Sequence, residues 1–122
     1  MAHVLLAEDE ALIALMFQDA LEGEGHRVTV ARDGIEALEA DARDPAEALV
    51  TDLAMPRMGG RELLDRLRER RPDLPAVVVT GYAGEVHLGA PLTVLLAKPV
   101  SPRALTARLT ELLADSGTLR DF

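Results

Sequence analysis

Five short runs of apolar, largely β-branched residues alternate with longer amphipathic segments along the 122 residues of this chain. These runs are predicted strands: Val4 to Ala7, Arg27 to Ala31, Ala48 to Asp52, Ala76 to Thr80 and Thr93 to Ala97. Most of them are apolar throughout, which indicates strands that are buried on both faces. The alternation therefore predicts one α/β domain, in which helices cover both sides of a parallel sheet.

The amphipathic segments predict four helices, most of them with clear start or stop signals. They are expected from about Glu10 to Glu24, from Gly34 to Arg43 behind an Asp33 cap, from Gly59-Gly60 to just before Pro72, and from Ser101-Pro102 to about Ala114. Between Thr80 and Lys98, glycines and a proline leave room only for a short or irregular element. That connection departs from the otherwise regular β/α pattern.

The first helix carries apolar residues at helical spacing, and this stripe is expected to face the core. Its members are Ile13, Met16, Phe17, Ala20 and Leu21. Leu12 and Leu15 lie on the other side of the helix, so we expect one of them to be exposed. That these two leucines are ordinary packing positions is an equally plausible interpretation.

Composition excludes several classes of protein. The absence of cysteine removes disulfide scaffolds and thiolate metal sites. A formal net charge of −8 opposes binding to nucleic acid and to anionic membrane surfaces, and no apolar run approaches the roughly 20 residues of a bilayer span. We therefore expect a cytoplasmic protein that binds neither nucleic acid nor membrane.

His3, His26 and His87 show no metal-ligand spacing and are expected at the surface.

Polar and charged residues follow most of the predicted strands. In open parallel sheets, ligands bind outside the carboxyl ends of the strands. These ends carry, in chain order, Glu8, Asp9 and Glu10, then Asp52, Thr80 and Lys98. Acids at such junctions also serve as helix caps or first-turn residues, and that interpretation stays open. Where carboxylates cluster, their mutual repulsion requires a cation, and oxygen ligands favour Mg2+.

Lys98 is the only lysine in a chain that has 13 basic residues. A lysine here indicates that the position needs a compact ammonium group in place of a planar guanidinium. The alternative explanation is chance among the basic residues. A carboxylate surrounded by a metal, an amine and a hydroxyl describes a phosphoryl-transfer site, with Lys98 and Thr80 at the phosphoryl oxygens. Asp52 is then the nucleophile that forms an aspartyl phosphate.

From Val4 to about Leu113, the sequence resembles the receiver domains of two-component response regulators. The segments that carry the resemblance are Leu5 to Glu10, Ala31 to Leu38, Asp52 to Gly60, Val79 to Gly81 and Ala97 to Pro99. Each segment alone is a weak signal, but the ordered set at these spacings is highly specific. The resemblance implies a flavodoxin-like, doubly wound sheet of five parallel strands in the order 2-1-3-4-5.

The resemblance also implies a role for each residue of the site. Glu8 and Asp9 hold Mg2+ together with Asp52 and the Ala54 carbonyl. Asp52 accepts a phosphoryl group from the phosphohistidine of a sensor histidine kinase or a histidine phosphotransfer protein, and Thr80 and Lys98 contact the phosphoryl oxygens. The Lys98–Pro99 peptide bond is expected to be cis. In the family, the phosphodonor docks on the first-helix surface near the acids.

The sequence departs from the family pattern at two positions of the expected switch. Most receivers have an aromatic residue on strand 5 that moves together with the threonine, whereas this chain has Leu95. The segment between Thr80 and Lys98 is also shorter than usual, and its start, Thr80-Gly81-Tyr82, resembles a subgroup with a Thr-Gly-Tyr or Thr-Gly-Gly motif. Tyr82 therefore acts either as a replacement switch or lid beside the phosphate, or as a ring that covers a shortened helix.

These observations predict a stand-alone receiver over residues 1–122, with a core at 4–114 and a short tail at 115–122. It is expected to signal through protein contacts with an unidentified target, or to pass phosphate along a relay, as a switch and not a turnover enzyme. A pseudo-receiver that binds partners without phosphorylation is the alternative, and Leu95 permits it. A nucleotide binder is disfavoured because Glu8-Asp9-Glu10 would repel phosphate.

Overall fold

A computed structural model describes residues 1–81 and 92–116. Its strands are β1 (His3–Ala7), β2 (Arg27–Ala31), β3 (Ala48–Asp52), β4 (Ala76–Thr80) and β5 (Thr93–Ala97). All neighbouring strands pair in parallel, in the order β2-β1-β3-β4-β5. The predicted flavodoxin-like sheet is confirmed, with strand boundaries that differ from the prediction only at the start of β1.

Within residues 1–81 and 92–116, four helices flank the sheet: α1 (Ala11–Gly23), α2 (Gly34–Arg43), α3 (Gly60–Arg70) and α4 (Pro102–Ser116). Two predicted caps are confirmed: the Asp33 carboxylate accepts the Glu36 N–H at 2.8 Å, and the Ser101 hydroxyl accepts the Ala104 N–H at 3.0 Å. The short or irregular element predicted between β4 and β5 falls on residues 82–91, outside the described part of the chain. Among the described helices, none is both long and apolar enough to cross a bilayer.

The core consists of two apolar clusters, one on each face of the sheet. Side chains of α2 and α3 cover one face, and side chains of α1 and α4 cover the other. The three central strands β1, β3 and β4 are buried along their whole length. The edge strands β2 and β5 are partly exposed, because each has a neighbouring strand on one side only.

The predicted core stripe of α1 is partly wrong. Ala14, Phe17 and Leu21 are the buried residues, whereas Met16 is 45% exposed and Leu12 and Leu15 are 70% and 61% exposed. The buried residues follow each other at intervals of three and four and therefore form one narrow line along the helix. Met16 lies about 100° around the helix from Phe17, which places it beside this line.

The predicted surface position of two histidines is also wrong, since His3 and His26 are both buried. The imidazole of His3 lies 2.7 Å from the Thr29 hydroxyl and 3.1 Å from the Pro45 carbonyl oxygen. Nδ1 of His26 accepts the Ala2 N–H at 3.1 Å. These hydrogen bonds compensate for burial of polar rings at the amino-terminal edge of the sheet. His87 lies outside the described residues.

Candidate functional site

Three carboxylates meet where β1 and β3 end, because these two strands are neighbours in the sheet. Glu8, Asp9 and Asp52 each place a carboxylate oxygen within 4.8 Å of the others. Glu8 and Asp52 are buried, at 2% and 4% exposure, while Asp9 faces solvent. Three of the four acids that the sequence placed at these strand ends therefore form one cluster that is open on the Asp9 side, and the fourth, Glu10, is the residue before α1.

Lys98 brings a positive charge to this cluster from the end of β5. Its Nζ donates a hydrogen bond to Oδ2 of Asp52 at 2.8 Å. Its backbone N–H donates to the Thr80 carbonyl oxygen at 2.8 Å, which joins the ends of β4 and β5. Thr80 is buried at 3% exposure. The Lys98–Pro99 peptide bond is cis, as the resemblance implies.

The electrostatics of the cluster suit a hard cation. Burial raises the pKa of Glu8 to about 7, against a hydrogen bond that its carboxylate accepts from the Glu10 N–H. The hydrogen bond to Asp52 raises the pKa of Lys98, which keeps the ammonium charged. Three acids face one amine, so a negative site lined by oxygen donors remains. This donor set fits Mg2+, which binds through a few carboxylates and retains waters.

The residue expected to offer its carbonyl to the metal, Ala54, lies in the β3–α3 loop (residues 53–59). It is exposed, and its N–H lies 3.4 Å from Oδ1 of Asp52. Directly after the loop, α3 begins at Gly60, whose N–H donates to the Leu53 carbonyl oxygen at 2.9 Å. A Cβ atom on Gly60 would overlap the Asp52 carbonyl oxygen, so only glycine allows α3 to begin so close to β3.

Sequence reasoning missed a contact that fixes this loop, the ion pair between Arg57 and Asp33. The guanidinium donates to both carboxylate oxygens, at 2.9 and 3.1 Å. Asp33 was predicted only as the cap of α2. The sequence offers no signal that Asp33 also binds Arg57. The position of Arg57 depends on its positive φ of 65°, which its residue type does not predict.

The expected switch residues are only partly described. Leu95 is half-buried in β5 and packs against the core cluster beneath α2 and α3. Tyr82 lies outside the described residues. Thr80 lies beside the acids through its position at the end of β4, next to the strand that ends in Asp52.

An apolar surface adjoins the acids. In α1, which begins directly after Glu8, Asp9 and Glu10, the large apolar side chains of Leu12, Leu15 and Met16 are exposed. In the described part of the chain, an open cavity of about 470 Å3 runs from the site to α1. Its lining consists of Glu8, Ile13, Met16, Phe17, Val79, Lys98, Pro99 and Val100. The charged site is therefore continuous with a surface that offers apolar contact area.

Comparison with known proteins agrees with this fold. The family model "Response regulator receiver domain" matches residues 4–110. The response regulator MprA of Mycobacterium leprae is 36% identical over 91% of this chain, and the chain spans about half the length of that relative, 50%.

Solved structures give the same result. A CheY-like receiver domain protein from Methanospirillum hungatei superposes with a TM-score of 0.86 at 29% identity, covering 97% of this chain and 98% of that one. A receiver protein from Sinorhizobium medicae has a TM-score of 0.85 at 30% identity, covering 93% and 95%. Because the family model matches nearly the whole described chain, this protein belongs to the receiver domain family of response regulators.

Proposed function

We propose that this receiver accepts a phosphoryl group on Asp52 and works as a switch within a two-component or phosphorelay system. The observation that carries the proposal is the 2.8 Å contact between Lys98 Nζ and Asp52 Oδ2 inside a cluster of three acids. An ammonium group here offsets the negative charge that a phosphoryl group would add to the site. The side chains of this chemistry, from Glu8 to Lys98, come from the strand ends of one sheet. We therefore propose that residues 1–122 act as one receiver domain, with its core at 4–114.

In the proposed reaction, a carboxylate oxygen of Asp52 attacks the phosphorus atom of a phosphohistidine. The new O–P bond forms as the N–P bond breaks, and the electron pair stays on the imidazole nitrogen, which takes up a proton. Lys98 and the Thr80 hydroxyl contact the phosphoryl oxygens and stabilise the charge on them. The product is an acyl phosphate that water later hydrolyses. In this proposal the domain acts as a switch that changes state with its phosphoryl group, and not as a turnover enzyme.

Mg2+ is the proposed cofactor, and Glu8, Asp9, Asp52 and the Ala54 carbonyl would hold it. A bound Mg2+ supplies positive charge that lets the anionic phosphoryl group approach three carboxylates. Asp9 is exposed and therefore keeps one side of the site open to water and ligand. Burial of Glu8 and Asp52 fixes the other two acids in place.

The proposed phosphodonor is a sensor histidine kinase or a histidine phosphotransfer protein that docks on α1. Leu12, Leu15 and Met16 are exposed beside the site, at 70%, 61% and 45%, and offer the apolar contact that such docking needs. The curated relatives are about twice as long as this chain. We expect the downstream target to be a protein in the cytoplasm.

Phosphorylation is proposed to reach that target through Thr80, Tyr82 and Leu95. Leu95 lacks the polar and aromatic character of the usual partner of the threonine, so Tyr82 takes over the role of the moving ring. Comparison of Tyr82 ring resonances with and without a phosphoryl mimic tests this assignment. Unchanged resonances would contradict it and would favour the alternative, in which the Tyr82 ring only covers a shortened helix.

The experiment that tests the whole proposal is intact mass after incubation with a small-molecule acyl phosphate and Mg2+. The wild-type chain should gain one phosphoryl group, and Asp52→Asn should gain none. Omission of Mg2+ should also abolish the gain. A wild-type chain that binds Mg2+ but never gains mass, with fast hydrolysis excluded, would instead make Asp52 a structural partner of Lys98 in a pseudo-receiver.

A further inference from the structure

The β3–α3 loop contains a turn that is unusual for an arginine. The Met58 N–H donates to the Pro56 carbonyl oxygen at 2.7 Å, and the residue between them, Arg57, has a φ of 65°. A hydrogen bond that spans three residues around a positive φ is typical of the γ-turn of the rarer, strained kind. Strained backbone persists only where the surrounding structure holds it.

The structure supplies that support through the start of α2. Arg57 donates from Nε and Nη2 to the two carboxylate oxygens of Asp33, at 2.9 and 3.1 Å, in the planar, two-point geometry that suits a guanidinium. Asp33 is itself fixed, because the same carboxylate caps α2 by accepting the Glu36 N–H. The arginine thus reaches from the loop to a rigid helix terminus.

A second contact joins the same two elements. The Gly34 N–H donates to the Met58 carbonyl oxygen at 3.0 Å. A Cβ atom on Gly34 would lie 2.7 Å from atoms of Met58, so the close approach depends on glycine. Met58 is buried at 5% exposure, whereas Arg57 is mostly in solvent. The loop is therefore attached to the start of α2 at two consecutive residues of the turn, by the side chain of Arg57 and by the backbone of Met58.

We infer that Asp33 and Arg57 are positioning residues, whose ion pair holds the turn and thereby sets the direction of the Ala54 carbonyl toward the metal. This inference rests on the proposed function and adds to it two residues that touch neither metal nor phosphoryl group. Ala54 lies three residues before Arg57 in the same loop. Its carbonyl is the one proposed ligand that has no side chain to adjust its direction, so the shape of the loop decides its placement.

The test is the dissociation constant for Mg2+, measured by calorimetry for the intact chain. Arg57→Ala removes the ion pair, and Asp33→Ser removes the carboxylate but keeps an oxygen that caps α2. Each should weaken Mg2+ binding by about threefold or more, the upper part of the range for a partly exposed pair. The double variant should lose no more than the weaker-binding single variant, because both changes remove one interaction.

Two further variants separate positioning from stability. Arg57→Gly relaxes the positive φ and should leave the fold as stable as Arg57→Ala or more so, yet it should bind Mg2+ at least as weakly. Arg61→Ala removes the same charge from an exposed neighbour whose side chain makes no hydrogen bond or ion pair within residues 1–81 and 92–116, and it should bind Mg2+ like the wild type.

The outcomes are distinguishable. If the wild type binds Mg2+ and is phosphorylated while Asp33→Ser and Arg57→Ala keep its affinity, the inference falls and the proposed function stands. If Mg2+ affinity follows unfolding free energy across all variants, with Arg57→Gly binding Mg2+ more tightly than Arg57→Ala, the pair is structural only. A wild type that takes up neither Mg2+ nor phosphoryl group overturns both.

Discussion

A carboxylate that is taken out of water needs a positive charge or several hydrogen bonds beside it. Asp52 is 4% exposed and has the Lys98 ammonium at 2.8 Å. Glu8 is also buried beside it, and its carboxylate accepts a hydrogen bond from the Glu10 N–H at 3.0 Å. The lysine therefore stabilises the fold as well as the proposed chemistry, and the two roles can be separated by mutation.

Loss of Lys98 should destabilise the protein when no metal is present. Lys98→Met should lower the unfolding free energy by about 1 to 3 kcal/mol, because Asp52 is then a buried charge without its partner. Asp52→Asn in the same chain should recover most of this loss, since the carboxylate no longer needs a cation. Urea unfolding in chelator measures both, with Arg61→Met as the surface control. Equal losses in the single and the double variant would contradict the pairing.

At the scale of elements, the site depends on how closely α3 approaches β3. Gly60 begins α3 directly against the Asp52 carbonyl oxygen, and Gly34 begins α2 against Met58. The two helices therefore hold the β3–α3 loop between them. Both contacts use backbone atoms, so the spacing of the elements is fixed more firmly than side-chain packing alone would allow.

Substitution of Gly60 should show this directly. Gly60→Ala should lower the unfolding free energy by about 1 to 3 kcal/mol, because the new methyl group overlaps a backbone oxygen that cannot rotate away. Gly23→Ala at the end of α1 is the matched control, since nothing lies within 4 Å of its Cβ position. That control should be neutral or slightly stabilising. Comparable destabilisation in both variants would contradict the overlap.

For the whole molecule, sequence reasoning succeeded where local patterns decide the structure. Strands and caps follow from apolar runs and from residues such as Asp33, and the topology then brings Asp52 and Lys98 together across 46 positions. It failed where distant contacts decide. His3 and His26 are buried because partners far along the chain accept or donate hydrogen bonds. The positive φ of Arg57 could not be predicted either, because arginine rarely adopts this backbone conformation.

The buried imidazole of His26 should make stability depend on pH. Burial lowers the pKa of His26 below its ordinary value, the amino-terminal ammonium adds to this, and Glu24 and Glu47 oppose it. Below about pH 6.5 the unfolded chain then binds a proton that the folded chain does not, so stability falls as the pH decreases toward the folded pKa.

His26→Gln should remove this loss, because the amide accepts the Ala2 N–H without titrating. The contribution is the difference between wild type and variant in urea unfolding from pH 7.5 to 5, with a slope of at most about 1.4 kcal/mol per pH unit. The difference is needed because the raised pKa of Glu8 gives a slope of opposite sign. Parallel curves for the two proteins would contradict the assignment.

Mg2+ should stabilise the whole domain, because a ligand that binds only the folded state shifts the unfolding equilibrium. At a concentration of 100 times the dissociation constant, the gain is about 2.7 kcal/mol, which corresponds to a rise in Tm of about 10 °C for a domain of this size. Asp9→Asn should abolish most of this rise while leaving the metal-free Tm unchanged or higher, because Asp9 is exposed and adds repulsion to the cluster. Sodium chloride at matched ionic strength controls for screening. A rise in Asp9→Asn equal to that of the wild type, beyond the sodium chloride control, would mean that Asp9 does not help to hold Mg2+.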